Sequence, residues 1–197
     1  MTFPFATSTI VAQAFGMVEL SPPSSFADDS PQAADAALYY PVALDLCLEG
    51  TDWSFASRLV HLAEIALPDG IAADPDLPYV FALPGDCVIL RGPQDTSIRY
   101  RLDEGILRAD APAPLAVRYT RRVTNEAILP ASFRTAVALQ LAVLLAPRWL
   151  GVDTKRERLI QQLDSLRRQS SKSDAGTASP EPYGASGTAD WVSEALR

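Results

Sequence analysis

The chain is poor in the residues that carry chemistry at neutral pH. Its 197 residues include one histidine, two cysteines and two methionines. A zinc centre needs three or four nitrogen, sulfur or oxygen ligands. Neither Cys47 nor Cys87 has a His or Cys partner at ligand spacing, so neither a metal site nor a Cys–His nucleophilic pair is expected. Two cysteines are too few for a disulfide scaffold, and both are expected to fill core space. No apolar run approaches the ~20 residues of a membrane span. Met1 to Ala14 lacks the basic and long apolar regions of a secretory leader, which leads to the expectation of an intracellular, reducing site of synthesis. Gly85 and Gly92 stand alone, with no phosphate-cradling GxxxxGK[ST] pattern. Basic residues are nearly missing from the first part: residues 1–90 hold 12 Asp and Glu against a single Arg58.

A 48% hydrophobic and 21% charged composition is that of a globular chain. At this length one domain, with or without a tail, buries roughly two-thirds of its unfolded surface. The formal net charge of −7 is divided unevenly: residues 1–90 carry −11, residues 91–171 carry +6 and residues 172–197 carry −2. One reading is an oriented molecule, with an acidic partner or polyanion near one surface. The other is that the segments interleave in the fold and the field averages out.

Local signals divide the chain into a helical frame around a strand-rich middle, an α+β class. Thr7 or Ser8 as the cap, with Ile10, Val11, Ala14 and Phe15 on one stripe, predicts a helix over about 8–17. Ser30 followed by Pro31 is an N-cap and first-turn pair, predicting a helix over about 31–48 that Pro41 kinks or splits. Residues 53–122 read as several short strands joined by tight turns, and such spacing argues for a small antiparallel meander. Pro130 opens a mostly buried helix over 130–150, with Pro147 bending its last turn. Thr154-x-x-Glu157 reads as a capping box opening a last helix over 154–170. The expected division is therefore a core domain over 1–171, about four helices bundled around a β insertion, and an extended tail over 172–197. The tail is Ser/Gly/Ala/Pro/Thr-rich to Thr188 and then regains apolar residues at Trp191, Val192 and Leu196. That segment reads either as a docking peptide or as a piece that folds back on its own domain.

No constellation reads as an active site, and no cofactor is expected. Carboxylate pairs such as Asp28–Asp29 and Asp103–Glu104 fall in turns, where capping and solvation account for them. The arginines divide into Arg118, Arg121 and Arg122 after the last strand and Arg156, Arg158, Arg167 and Arg168 on the last helix. They suit bidentate pairing with carboxylates of a neighbouring subunit better than sequence-specific nucleic-acid binding, because no basic stripe carries interleaved aromatics. A solvated helix face is the structural alternative.

Six motifs in order carry a resemblance. They are a short helix ending in Gly16 before the connector from Leu20 to Ser30; Trp53-x-Phe55-Ala56-x-Arg58; Tyr79-x-Phe81-x-Leu83-Pro84-x-Asp86-Cys87; Tyr100-x-Leu102 with Gly105-x-Leu107; Leu115-x-x-Arg118-Tyr119; and Pro130-x-x-Phe133 leading into a helix of small and leucine residues. Together, over residues 8–168, they resemble the head-to-tail adaptors of short-tailed bacteriophages, the tail tubular protein A family. The resemblance implies a structural virion protein, not an enzyme. It would form a dodecameric ring between the capsid portal and the tail nozzle, assembled in the host cytoplasm, with double-stranded DNA passing non-specifically through its lumen and no membrane contact. Trp191, Val192 and Leu196 would then anchor the tail in the portal, and Arg118, Arg121, Arg122, Arg156 and Arg158 would lie at subunit contacts, leaving acidic surface where DNA passes. A connector or stopper of a long-tailed phage or gene transfer agent is the neighbouring alternative, and a small cytoplasmic enzyme the distant one.

Overall fold

The structure, a computed structural model, describes residues 8–103, 105–150 and 153–175. Helix α1 is Thr9–Met17, and its first turn is closed by Ser8, whose Oγ accepts the Val11 amide at 3.1 Å. Helix α2 is Pro31–Glu49, capped the same way by Ser30 Oγ on the Ala33 amide at 3.1 Å. Pro41 neither splits nor ends it. The turns on both sides bury Ala36, Tyr40, Ala43, Leu44, Cys47 and Leu48 in the core, and that packing outweighs the one hydrogen bond the proline removes. The Ala37 carbonyl left over belongs to an exposed residue, where water can serve it.

Six strands follow: β1 (Ser57–Leu62), β2 (Tyr79–Ala82), β3 (Cys87–Pro93), β4 (Tyr100–Asp103), β5 (Ile106–Ala109) and β6 (Leu115–Arg121). They make two small antiparallel sheets rather than one meander, in the orders β1-β6-β3 and β2-β5-β4. The last strand thus inserts between the first and the third. Leu62, Leu115 and Val117 of one sheet meet Phe81, Leu107 and Ala109 of the other in a second core of their own. A bridge between Glu64 and Phe81 joins the sheets along one edge. Elsewhere Tyr100 lies over Gly92, where a Cβ would meet its hydroxyl at 3.1 Å and where φ is +126°. Glycine is required there for both reasons.

A single 3₁₀ turn, Glu126–Ile128, leads into α3 (Ala131–Trp149). α3 continues through Pro147, with the Leu150 amide donating to the Ala146 carbonyl at 2.8 Å. It packs against α1, α2 and the last helix, α4 (Asp153–Ala175), and the main core surrounds it. α4 starts one residue before the expected capping box. It also runs five residues beyond the expected end at 170, into a stretch that holds no Gly or Pro before Gly176.

The charge division along the chain is absorbed in part within the fold. Acidic residues of the first 90 positions pair with basic residues of the later segment in Asp52–Arg91, Asp74–Arg101, Asp45–Arg122, Asp35–Arg148 and Glu19–Lys155. The Asp35 carboxylate, buried on α2, is held by Arg148 on one oxygen and by the Trp149 indole at 2.8 Å on the other. Arg91 serves the end of α2: its guanidinium donates to the carbonyls of Leu48 at 3.2 Å and Thr51 at 2.7 Å, and to Thr120 Oγ1 at 2.9 Å. It satisfies carbonyls that the last helical turn leaves without partners.

Hydrogen bonds hold four carboxylates below their ordinary pKa of 3.8: the half-buried Asp103 through Arg101 first, Asp110 through Arg99 first and Asp28 through Ser24, and the exposed Asp95 through Ser97. A depressed carboxylate contributes stability above its unfolded pKa and loses it as pH falls through the folded value. Thermal midpoints should therefore stay level down to about pH 5 and fall below about pH 4. In an Asp110→Asn variant the deficit relative to the wild type should shrink as pH drops through that window.

Candidate functional site

Two clusters bring together residues from four of the six motifs. In the first, Trp53 and Phe55, from the loop after α2, pack on Phe133 at the start of α3. Trp53 meets Phe133 edge-on at a centroid distance of 5.0 Å, and Phe55 does so at 4.9 Å. The Trp53 indole N–H donates to the Cys47 carbonyl at 2.8 Å, so this ring cluster also ties down the end of α2.

The second cluster centres on Asp86, in the turn before β3. Its Oδ1 accepts the Tyr119 hydroxyl at 2.9 Å, its Oδ2 lies 3.6 Å from Arg58, and its backbone carbonyl accepts the Arg122 amide at 2.7 Å. Burial, then the hydrogen bond to Asp86, pushes the Tyr119 phenol above its usual range. Tyr119 therefore stays protonated as a donor, and Asp86 is held by a donor and a cation, which suits fixing a geometry more than moving protons. The neighbouring Cys87 thiol is also pushed up, by burial and then by Asp86, away from the thiolate a nucleophile needs.

Beside Asp86 a cavity of about 490 Å³ lies between α2 and the end of β6, lined by Pro41, Leu44, Asp45, Gly85, Asp86, Arg122 and Thr124. At its rim Arg122 forms a two-pronged pair with Asp45, at 2.9 and 2.6 Å. A second, shallower cleft of about 550 Å³ contains Asp74, Arg101, Asp103 and Arg108. Arg108 is buried there, donating to the Ala72 carbonyl at 2.7 Å with Asp103 3.3 Å away. Its two cations and two carboxylates balance, and they close the 71–76 loop onto the sheet.

The arginines assigned to subunit contacts from the sequence do not converge. Arg122 is occupied by Asp45 of its own chain. Arg118 is exposed on β6, and its guanidinium donates to Ser57 Oγ at 3.3 Å. Arg121 is half-buried, and Arg156 and Arg158 are exposed on α4; none of these three forms an ion pair among the described residues. The anchors Trp191, Val192 and Leu196 lie outside the described residues. His61 is exposed on β1, and no group of three His, Cys, Asp or Glu side chains suited to a metal ion occurs among the described residues. No helix among them is long and apolar enough to cross a membrane.

Two features went unread in the sequence. Glu126, before α3, is a buried carboxylate with no cation paired to it among the described residues. It accepts hydroxyl hydrogen bonds from Ser8, from Tyr40 at 2.7 Å and, more loosely, from Thr9 at 3.4 Å. It sits at the N-terminus of α1, where the helix dipole favours an anion. The other is the outward face of α2, where Leu38, Val42 and Leu46 are 62%, 45% and 38% exposed. The signal for it was there: residues 31–49 hold three acidic residues and no basic one, with apolar side chains around nearly the whole helix. A helix of that composition is ordinarily covered on all sides. No protein-family model matches the chain, and no curated protein matches it either.

Proposed function

We propose that the chain is a structural adaptor that forms a dodecameric ring between a capsid portal and a tail nozzle, with double-stranded DNA passing through the lumen. Its four helices serve as the bundle that holds the ring, with the two sheets as the β insertion, and the segment carrying Trp191, Val192 and Leu196 reaches the portal. No catalytic step and no cofactor enter this reading.

One observation carries it. The motifs that resemble the adaptor family are far apart in sequence, yet they meet in space. Trp53, Phe55 and Phe133 unite two of them, and Arg58, Asp86 and Tyr119 unite three. Residue types that a fold needs at long-range contacts are those that mark its architecture, so these motifs support the resemblance better than local patterns would. The cavity and the unpartnered α2 face fit a chain whose work is contact with other chains.

The reading is tested with the portal ring encoded in the same genome. The full chain should co-sediment with that portal, and a chain ending at Ala175 should bind it at least about tenfold more weakly, as loss of a buried tryptophan anchor implies. Equal affinity for both chains removes the anchor role of Trp191, Val192 and Leu196.

A further inference from the structure

The outward side of α2 is a ridge. Ala34, Leu38, Val42 and Leu46 follow one another at four-residue spacing and are all exposed. Side chains at that spacing form the ridge by which one element packs into the groove of another. Water is a poor partner for such an apolar row. Of the three carboxylates on α2, Asp35 and Asp45 are held by Arg148 and Arg122 of the same chain, which leaves the exposed Glu49 at the C-terminal end without an ion pair among the described residues.

The same chain carries a surface of the opposite kind. On the β1-β6 ladder Leu59 stands directly opposite Arg118, and His61 opposite Ala116. Directly opposed residues share a face, and Ser57, Leu59, His61, Ala116 and Arg118 include no acidic side chain. Leu59 is 39% exposed. Among the described residues the Arg118 guanidinium meets no carboxylate, as is also true of Arg156 and Arg158 on α4, and Arg118 stands directly opposite the exposed Leu59.

The geometry points to a second copy of this chain as the cover for the α2 ridge, with Leu59 of that copy on the apolar row and its Arg118 paired with Glu49. Ridge-on-ridge pairing of two α2 helices would bring no cation to Glu49; the sheet face brings both an apolar side chain and a cation. This inference rests on the reading of the chain as a ring-former and names the contact that makes the ring.

Sedimentation velocity of the full chain across a concentration series tests it, with urea unfolding as the check that each variant stays folded. The wild type should self-associate. Glu49→Arg and Arg118→Glu should each weaken association about tenfold or more through like-charge contact, and Leu38→Ser with Val42→Ser should weaken it comparably. Mixing the Glu49→Arg and Arg118→Glu chains should restore association, because each then meets an opposite charge. A wild type that remains monomeric to its solubility limit overturns the inference, even where it binds a portal and the adaptor reading stands. Association that the variants leave unchanged also overturns it, and so does a mixture that fails to recover.

Discussion

Replacing Phe133 by alanine should destabilise the fold by about 3–5 kcal/mol, the usual cost of deleting a buried aromatic ring. That is a large share of the roughly 5–15 kcal/mol that holds a domain together. Phe133 is fully buried, and both Trp53 and Phe55 lean their rings against it. The truncation therefore leaves a cavity with two aromatic walls and loosens the loop that ends α2. Urea unfolding measures it: the midpoint should fall sharply, and Phe133→Leu, which fills part of the space, should recover much of the loss. Ile128→Ala is the matched control, since Ile128 is 53% exposed and surface changes of this kind stay within about 0.5 kcal/mol. A Phe133→Ala chain that unfolds like the wild type would remove the ring cluster from the account of the fold.

Replacing Glu126 by alanine should cost about 1–3 kcal/mol, because the buried Ser8 and Tyr40 hydroxyls lose the carboxylate acceptor they share. Ser8 and Tyr40 both donate to this carboxylate, and Ser8 also caps α1. Glu126→Gln keeps an acceptor oxygen and should cost less. Tyr40 supplies an independent readout. Burial, then the hydrogen bond and charge of Glu126, raise its phenol well above the ordinary value of 10.0. A group raised in the folded state contributes stability below its unfolded pKa and loses it as pH rises toward the folded value. The wild type should therefore lose stability above about pH 10, and a Tyr40→Phe chain should lose less over the same range. Equal alkaline slopes for the two chains would contradict the placement of Tyr40 on Glu126.

What could be read from the sequence was whatever neighbouring residues decide. Ser8 and Ser30 start helices because their hydroxyls reach amides three positions on, and the turns between strands are written in Pro, Gly and Asp. The order of the strands could not be read that way. β6 lies between β1 and β3 because Leu115 and Val117 find a core with Leu62, Phe81 and Leu107, and such pairings join residues tens of positions apart. The split expected at Pro41 fails for the same reason: the local rule breaks a helix, and the core on both sides of the proline holds it together.

The charge division was plain in the sequence, but its use was not. An acidic first half and a basic second half look alike whether the charges meet within one chain or between two. Arg122 with Asp45 and Arg148 with Asp35 belong to the first case. Arg118, Arg156 and Arg158, exposed and without a carboxylate among the described residues, are left for the second. The ridge on α2 escaped notice because helical periodicity finds the face that is buried, and an apolar residue on the other face only blurs the stripe. Composition was the better guide there, since nineteen residues without one base are unusual for a helix with a solvent-facing side.

The central proposal, that this chain is an adaptor ring, is tested most directly by imaging. The full chain is mixed with the portal ring encoded in the same genome and examined by electron microscopy, beside portal alone. The account predicts a second, coaxial ring with an open channel, added at one end of the portal and carrying the portal's own rotational symmetry. Portal particles that look the same with and without the chain, at concentrations where both proteins are soluble, would contradict it.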